Sequence, residues 1–371
     1  MHDAPYIGLI SGTSVDGIDA VLVRFEPHRV LLLKSHVAEY PEALKERLLA
    51  AIRDPSSFTV DEFGELDTWV GAAFRDAALE LLDAANVSKR EVRAIGSHGQ
   101  TIRHRPDAEH RFTLQLGDPS TIATGTGIET VADFRRADLA LGGEAAPLVP
   151  PFHHWLFGGN SKPRAILNLG GIANLTLLPG DGSDVTGFDV GPANSLMDLW
   201  AARHLGKPYD DNGRWAASGS VDAELLASLL DDPWFDVEPP KSTGFEYFNA
   251  AWLERHELDR LAPADVQATL LELSSASIAA SLERWAPETA ELFVCGGGAH
   301  NAGLLDSLGR RLGDTSVETT ASAGLDPDWV EATAFAWLAA RRLAGQPGSF
   351  ASVTGASRDA LLGGIYSPGS A

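Results

Sequence analysis

Two short apolar runs open the chain, and a polar connection separates them. Residues 5–11 and 17–25 are largely β-branched or long apolar residues, and residues 29–40 form a third run of this kind. Runs of this length and composition predict β-strands. The connection, GTSVDG at 12–17, consists mainly of residues that favour turns. The start of the chain therefore predicts a strand–turn–strand unit followed by a third strand.

After the third run, apolar residues recur at the spacing typical of α-helices. Pro41 stands at the first position of one helical pattern, and apolar residues three and four positions apart run through 60–87. The stretch VRAIGSHGQTI (92–102) predicts a strand that ends in a glycine-containing loop. Later helices are predicted at about 221–231, 264–286 and 326–345. Strands that alternate with helices favour an α/β architecture.

The second half of the chain begins like the first. The stretch AILNLGGIANLTLL (165–178) places a Gly-Gly turn between two apolar runs, about 160 positions after the similar arrangement at 6–25. A stretch rich in Gly and Pro at 142–164 precedes it and is the candidate junction between the halves. Together these features indicate an internal duplication.

Charge and composition narrow the classes of function. The 371 residues suggest two domains, and 44% of them are hydrophobic, which suffices for buried cores. The formal net charge of −22 disfavours nucleic acid and anionic membranes as partners. Cys295 is the single cysteine, so a disulfide within the chain is excluded and a cysteine-based zinc site is disfavoured. The sequence has neither a basic leader nor an apolar run of membrane-spanning length, and we expect a cytoplasmic protein.

Several common catalytic signatures are missing from the sequence. It contains no G-x-x-x-x-G-K-[ST] loop, no G-x-G-x-x-G after a strand and no G-x-S-x-G elbow. The histidines, including His98, His104 and the pair at 153–154, lack the H-E-x-x-H spacing of a zinc protease. We interpret these histidines as packing or surface residues.

The first candidate site is the turn at 12–17. One interpretation is a hairpin turn, since Gly, Ser and Asp suit turns. The other is a phosphate cradle, in which small residues let backbone N–H groups approach an anion and hydroxyls add further donors. In that case Asp16 and Asp19 could hold Mg²⁺ through water.

The second candidate is GFDVGPAN at 187–194, where a predicted strand meets a helix. Pro192 suits the first turn of that helix, whose N-terminus would favour an anion. Asp189 would stand at the end of the strand, where ligands meet open α/β sheets. Such a carboxylate can accept a proton from water or a hydroxyl, and the alternative is that Asp189 only caps the helix.

The third candidate is CGGGAHN at 295–301, a run of three glycines after an apolar strand. The glycines could leave room for a flat ring or a sugar against the backbone. They could equally permit close packing between helix and strand. Three such turns over two similar halves match the order found in the sugar-kinase/actin superfamily, where ATP lies between two lobes.

In detail the sequence resembles the anhydro-N-acetylmuramic acid kinases. The resembling stretches follow one another from residue 8 to residue 366. They are SGTSVDGID (11–19), HGQTIRHRP (98–106), LQLGDPSTIA (114–123), VADFRRADLALGGE (131–144), APLVP (146–150), NLGGIANLT (168–176), GFDVGP (187–192), KSTG with EYFN (241–249), CGGGAHN (295–301), EATAFAWLA (331–339) and VTGA with LGGIY (353–366).

The resemblance implies a fold and a reaction. The fold is α/β, with two duplicated actin-like (ribonuclease-H-like) lobes, 1–140 plus about 346–371 and 141–345, and an ATP cleft between them. The reaction uses ATP and Mg²⁺. Water opens the anhydro bridge of 1,6-anhydro-N-acetylmuramic acid at C1 and O6 is phosphorylated, which gives N-acetylmuramic acid 6-phosphate in cell-wall recycling. The resemblance also implies a homodimer.

The same resemblance implies the site residues. Asp189 matches the carboxylate that activates water, and Arg135 and Glu331 match residues that position the sugar or the water. The implied nucleotide-binding residues are Gly12, Thr13, Ser14, Val15, Asp16, Gly17, Ile18, Asp19, Gly170, Gly171, Gly191, Gly296, Gly297 and Gly298, with Asp16 and Asp19 near the metal.

Four positions depart from the family pattern. Val190, Ala193, Ala145 and Phe245 stand where Thr, Gly, Gly and Arg are expected. Ala145 matters if its turn needs a positive φ. Alternatives to the leading hypothesis are a kinase for a related amino sugar, a non-catalytic sugar- or nucleotide-sensing protein of the same fold, and an actin-like filament protein.

Overall fold

The computed structural model describes residues 4–12, 14–159 and 161–369. The chain forms two compact units. The first contains the residues up to Leu156 and those from Trp329 onward, and the second is Phe157–Asp328. The first unit is therefore built from two separate parts of the chain.

Strands and helices follow one another along the whole described chain. The strands are β1 (Tyr6–Ser11), β2 (Ile18–Glu26), β3 (Arg29–Ala38), β4 (Ala94–Arg105), β5 (Phe112–Leu116), β6 (Thr130–Ala132), β7 (Arg164–Leu169), β8 (Ile172–Leu178), β9 (Thr186–Pro192), β10 (Glu291–Cys295), β11 (Ser316–Thr319) and β12 (Gly364–Tyr366). The α-helices are α1 (Glu42–Arg53), α2 (Val60–Ala85), α3 (Pro119–Thr126), α4 (Arg136–Ala140), α5 (Pro150–Phe157), α6 (Ser195–Leu205), α7 (Ala223–Leu230), α8 (Ala250–Leu253), α9 (Pro263–Trp285), α10 (Ala302–Leu312), α11 (Val330–Leu343) and α12 (Ala351–Thr354).

Each unit has one sheet, and the two sheets share a strand order. In the first unit the order is β12-β6-β4-β1-β2-β3, with β5 paired to β4. In the second it is β11-β10-β7-β8-β9. In both, three antiparallel strands follow one another, and the first of them pairs in parallel with a later strand. The strand order confirms the predicted α/β fold with two duplicated actin-like (ribonuclease-H-like) units.

Glycines on two central strands of the first unit allow α11 to lie directly on its sheet. A Cβ at Gly8 would lie 1.8 Å from the carbonyl oxygen of Ala332, and one at Gly96 would lie 2.0 Å from that of Phe335. Both distances are far below van der Waals contact, so these positions accept no side chain unless the helix moves. Local sequence patterns cannot show this contact, because α11 comes more than 200 residues later.

The unit boundaries differ from the predicted ones. Residues 141–156 and 329–345, which the prediction assigned to the C-terminal lobe, cluster with the first unit. Besides the contact of α11 with β1 and β4, hydrogen bonds fasten this part, among them the following two from backbone amides. The Glu144 N–H donates to the carbonyl of Thr354 at 2.8 Å, and the Ala145 N–H donates to Asp138 Oδ2 at 2.8 Å.

Two local predictions are wrong. Pro192 does not begin a helix but ends β9, and α6 begins three residues later at Ser195 with Asn194 at its N-cap. The strand predicted at 92–102 does not stop at a glycine loop. It continues as β4 to Arg105, because the second part of it pairs with β5.

Each unit has its own apolar core. Leu22, Leu48 and Phe74 belong to the first, and Leu167, Phe188 and Trp252 belong to the second. Among the described residues, no helix is both long enough and apolar enough to cross a membrane.

Candidate functional site

The β1–β2 connection has an exposed polar side and one buried anchor. Gly12, Ser14 and Asp16 are exposed, whereas Val15 is fully buried in the core of the first unit. Val15 has φ +55°, an unusual value for a β-branched residue, and its N–H donates to the carbonyl of Gly12 at 3.2 Å. The buried side chain fixes the turn so that its small and acidic residues remain at the surface. Thr13 lies outside the described residues.

The other residues predicted in this turn contribute differently. Gly17 and Ile18 are buried, so only their backbone could meet a ligand. Asp19 lies on β2, opposite Ile10 of β1. Within the described residues, no group of three or more His, Cys, Asp or Glu side chains could hold a metal. Asp16 and Asp19 therefore supply oxygen ligands without a complete metal site, and a Mg²⁺ ion near them would need most of its ligands from elsewhere.

The first unit brings Arg135, His98 and Glu331 together. The guanidinium of Arg135 donates from Nε to His98 Nε2 at 3.0 Å and from Nη1 to the carbonyl of Ala145 at 2.8 Å. His98 Nδ1 donates to the carbonyl of Gly99 at 3.0 Å. The imidazole therefore donates at one nitrogen and accepts at the other, which requires its neutral form. Burial and the charge of Arg135 hold the pKa of His98 well below its usual value.

Glu331 lies in the first turn of α11 and is half-buried. Burial raises the pKa of its carboxyl, and the positive charge of Arg135 opposes that rise. No hydrogen bond to the Glu331 carboxylate occurs among the described residues. Arg135 therefore affects the pKa of Glu331 by electrostatic attraction and not by a hydrogen bond. The arrangement therefore combines the guanidinium of Arg135, which His98 holds in place, with the carboxyl of Glu331, which accepts no hydrogen bond from the described residues.

The role of His98 is not apparent from the sequence alone. From the sequence we interpret His98 as a packing or surface residue. Its buried ring does contact Phe335, with ring centroids 4.6 Å apart. The same ring also holds Arg135 in place. The only signal in the sequence is the position of His98 at the start of a stretch that resembles the family.

Asp189 is a buried acidic group of the second unit. It is 6% exposed and lies within β9, three residues before the strand ends. Its Oδ2 accepts hydrogen bonds from the Thr243 N–H at 2.8 Å and from Ser242 Oγ at 3.2 Å. Its Oδ1 accepts one from Asn174 Nδ2 on β8. These donors favour an ionised carboxylate. Asp189 caps no helix, which excludes that alternative.

The glycine pair at 170–171 forms the tight connection between β7 and β8. Its carbonyls accept the first amides after β9. The Asn194 N–H donates to Gly170 at 3.1 Å, and the N–H groups of Ala193 and Ser195 donate to Gly171 at 2.9 and 3.1 Å. The turn thus fastens the start of α6. These three amides are engaged within the protein, in contrast to the anion-binding helix start predicted from the sequence.

Gly191, just before this region, permits a close approach of an aromatic ring. A Cβ there would lie 2.8 Å from Cε1 of Phe235. Its neighbour Val190 is fully buried, and the carbonyl of Val190 accepts a hydrogen bond from Trp234 Nε1 at 2.9 Å. The departure from the family pattern at Val190 therefore faces the core of the second unit.

Of the three glycines at 296–298, two are closely packed and one adjoins open space. A Cβ at Gly296 would lie 2.3 Å from Asn168 Oδ1, and one at Gly298 would lie 2.6 Å from Cβ of Leu169. Gly297 is exposed, and a Cβ there would meet nothing within 4 Å. Packing explains the outer two glycines, whereas the backbone at Gly297 is exposed.

The structure thus groups the predicted residues by unit. The first unit contains the turn at 12–19 together with Arg135 and Glu331, and the second contains Asp189 and the other glycines. Asn174, Ser242 and Thr243 were not predicted as partners of Asp189. The sequence offered only their presence in stretches that resemble the family.

Ala145 and Phe245, two further departures, have clear structural settings. Ala145 is buried and has φ +56°, a conformation that suits glycine better than alanine. Phe245 is 59% exposed and lies two residues after Thr243. Neither setting disrupts the contacts of Arg135 or Asp189.

The solved structures to which the chain is similar are distant from it. A ROK-family glucokinase from Streptomyces griseus, solved with glucose and AMPPNP, is 17% identical, covers 90% of this chain and 99% of its own, and gives a TM-score of 0.39. Component A of the (R)-2-hydroxyglutaryl-CoA dehydratase of Acidaminococcus fermentans is 11% identical, covers 89% and 96%, and gives a TM-score of 0.45.

Sequence relatives are much closer and span the whole chain. The anhydro-N-acetylmuramic acid kinase of Xanthomonas campestris is 53% identical over 369 residues, which cover 98% of each chain. That of Shewanella pealeana is 50% identical over 368 residues, which cover 99% of each. The family model for anhydro-N-acetylmuramic acid kinase matches residues 4–368. The chain therefore belongs to the anhydro-N-acetylmuramic acid kinase family.

Proposed function

We propose that the protein is an ATP-dependent sugar kinase that acts on 1,6-anhydro-N-acetylmuramic acid. It opens the anhydro bridge with water and transfers a phosphoryl group to O6, which gives N-acetylmuramic acid 6-phosphate. Family membership over residues 4–368 supports the activity. The observation that carries the chemistry is the buried carboxylate of Asp189, which accepts hydrogen bonds from Asn174, Ser242 and Thr243.

Asp189 is the proposed general base. It accepts a proton from water as the water oxygen forms a bond to C1 of the sugar. The bond between C1 and O6 breaks, and its electron pair remains on O6. O6 then forms a bond to the γ-phosphorus of ATP, and ADP leaves with the electron pair of the broken phosphoanhydride bond. The proton that Asp189 received is released to solvent after the sugar phosphate leaves.

Arg135 and Glu331 are proposed to position the sugar or the attacking water. Arg135 is held by His98 and by the carbonyl of Ala145, so its guanidinium has a fixed orientation. An arginine held in this way can orient an anionic or hydroxyl group by paired donors. The raised pKa of Glu331 suits a carboxyl that exchanges hydrogen bonds with a neutral hydroxyl.

ATP is proposed to contact the glycine-rich turns. The exposed backbone and side chains at Gly12, Ser14 and Asp16 are suited to phosphates, and the exposed backbone of Gly297 is suited to the nucleoside. Mg²⁺ bound to the phosphates would neutralise charge that develops during transfer. Asp16 and Asp19 are the residues that would hold it, through water.

The decisive test measures ADP release with and without 1,6-anhydro-N-acetylmuramic acid and identifies the product by mass. We expect sugar-dependent ADP release and a product heavier than the substrate by one water and one phosphoryl group. Replacing Asp189 by Asn should lower kcat by about a hundredfold or more, because the base is lost. If folded protein releases no more ADP with the sugar than without it, the proposal is refuted. A wild-type rate for Asp189→Asn would refute the role of this residue.

Exposed Phe245 supports one alternative, a kinase for a related amino sugar. It replaces a cation of the family pattern close to the residues that hold Asp189. A panel of anhydro and ordinary amino sugars compares kcat/KM directly, and preference for another sugar would favour this alternative. The homodimer and the cytoplasmic location remain predictions from the resemblance, and light scattering of the purified protein tests the former.

A further inference from the structure

The carboxylate of Asp189 is held from two separate elements of the second unit. Asn174 approaches Oδ1 from the neighbouring strand β8. Ser242 and the backbone of Thr243 approach Oδ2 from a segment about 50 residues later in the chain. Because each oxygen has a donor from a different element, the contacts fix the orientation of the carboxylate plane. Donors to both oxygens also favour the ionised form.

The strand pairing explains why Asn174 can reach this carboxylate. Asn174 lies opposite Asp189, and Ala173 lies opposite Gly191, so Val190 is an extra residue in β9 at this point. An extra residue of this kind is a β-bulge, and bulges change the direction in which side chains point. The irregular pairing places the amide of Asn174 directly against Asp189.

The segment that supplies the other donors is itself fixed. The Asp189 N–H donates to the carbonyl of Lys241 at 3.1 Å. Lys241 is buried, its Nζ donates to the carbonyl of Trp234 at 3.3 Å and lies 5.1 Å from the centroid of the Trp234 ring. Trp234 Nε1 in turn donates to the carbonyl of Val190. The contacts form a closed circuit that begins and ends on β9.

From this geometry we infer that Asn174 and Ser242 are positioning residues for the base. With the backbone of Thr243 they form a carboxylate clamp that aims Asp189 and keeps it ionised. The inference rests on the proposed role of Asp189 in activating water. The clamp acts only through Asp189, so its loss should reduce the chemical step and change its pH dependence while substrate binding changes little.

Lys241 is the charged group closest to the clamp along the segment, and it experiences the negative charge of Asp189. Burial lowers the pKa of Lys241, Arg284 lowers it further, and the charges of Asp189 and Asp236 oppose this. Substituting Asn174 or Ser242 leaves these charged neighbours in place. A change in the pH profile can therefore be attributed to the lost donor.

The test compares kcat, KM and the pH profile of kcat/KM for the full-length protein with ATP and 1,6-anhydro-N-acetylmuramic acid. Asn174→Ala and Ser242→Ala should each lower kcat by about tenfold to a hundredfold, because a misdirected base accepts the proton of the attacking water poorly. The acidic limb should move to higher pH, because the ionised carboxylate loses a donor. Asn174→Asp should move it furthest, since it replaces the donor by a second negative charge.

Two matched controls and one rescue separate positioning from general damage. Ser242→Thr keeps the hydroxyl and should restore most of the rate. Asn249→Ala removes the cap of α8, whose Asn249 Oδ1 accepts from the Trp252 N–H, and Ser218→Ala removes an exposed bond to the carbonyl of Trp215. Neither control should move the acidic limb. Circular dichroism and thermal unfolding confirm that each variant folds.

The outcomes distinguish the clamp from the function on which it rests. If Asp189→Asn is inactive and the clamp variants keep the wild-type pH profile, the clamp is refuted and the base assignment stands. A loss of rate in folded clamp variants with an unchanged acidic limb also refutes it. If Asp189→Asn retains the sugar-dependent rate, the base assignment itself is refuted. Lower kcat, a nearly unchanged KM and a limb moved to higher pH in both alanine variants support the clamp.

Discussion

The two units share a strand order but differ in the connection between their first two strands. β1 and β2 are joined by the long turn at 12–17, whereas β7 and β8 are joined by the glycine pair at 170–171 alone. The long turn leaves Ser14 and Asp16 exposed, whereas the carbonyls of the short one accept the amides at the start of α6. Equal topology therefore does not give equal chemistry. The first connection leaves polar groups exposed, and the second mainly fastens a helix.

Acidic groups shielded from solvent in the two units also differ in their neighbours. Glu331 of the first unit experiences the positive charge of Arg135, and Asp198 of the second experiences the negative charge of Asp210. Burial raises the pKa of both carboxyls, and only for Glu331 does the neighbour oppose the rise. Asp189, by contrast, is surrounded by hydrogen-bond donors. Burial alone therefore does not determine the charge of an acid.

The strongest test of the comparison asks whether the first unit depends on α11. Gly8→Ala should destabilise it by about 2–4 kcal/mol, because the new Cβ would overlap the carbonyl of Ala332. Gly64→Ala within α2, where a Cβ meets nothing within 4 Å, should instead stabilise by up to about 1 kcal/mol. Hydrogen exchange resolved by peptide should show loss of protection in the first unit. Equal loss in Phe157–Asp328 would mean that the units do not unfold separately.

A second test concerns a turn that differs between the units. β10 ends in the glycine turn, where its counterpart β4 continues to pair with β5. Gly296→Ala should destabilise by about 2 kcal/mol or more, because its φ is +79° and its Cβ would contact Asn168. Gly297→Ala should change stability by less than about 0.5 kcal/mol and weaken ATP binding. Calorimetric titration with ATP checks this, and wild-type affinity for Gly297→Ala would leave only the packing role.

The smallest expected effect concerns Asp198. Its pKa is raised to about 7, first by burial and then by Asp210. The folded state therefore holds this proton more tightly than the unfolded chain, and stability falls as the pH rises towards 7. Asp198→Asn should remove this slope and, at pH 8, exceed the wild-type stability by on the order of 1 kcal/mol. Urea unfolding at pH 5 and pH 8 measures it. The exposed Asp184→Asn serves as the control, and an unchanged slope in Asp198→Asn would contradict the prediction.

Local sequence patterns predicted many of the strands and helices. The first three strands, the helix at 60–87 and the repeated glycine hairpin all follow from apolar spacing and turn residues within a short stretch. The missed features depend on partners outside the stretch that was interpreted, either a neighbouring strand or a helix far along the chain. β4 continues because β5 pairs with it, and α11 joins the first unit because Gly8 and Gly96 admit it.

The candidate site shows the same division. The resemblance pointed to Arg135, Glu331 and Asp189, whose surroundings the structure then revealed. Asn174 could not be connected with Asp189 from the sequence, because their pairing depends on an irregular register between β8 and β9. His98 could not be connected with Arg135, because 37 residues separate them and the contact requires the folded sheet.

The divided first unit has a consequence for synthesis on the ribosome. β1 and β4 emerge early, but the helix that covers Gly8 and Gly96 emerges only after residue 329. The second unit is continuous and can complete its fold before that helix has been made. Domains generally fold as they emerge. Until α11 has been made, the nascent first unit therefore has one face of its sheet uncovered. We expect that face to be the part of the growing chain that chaperones protect.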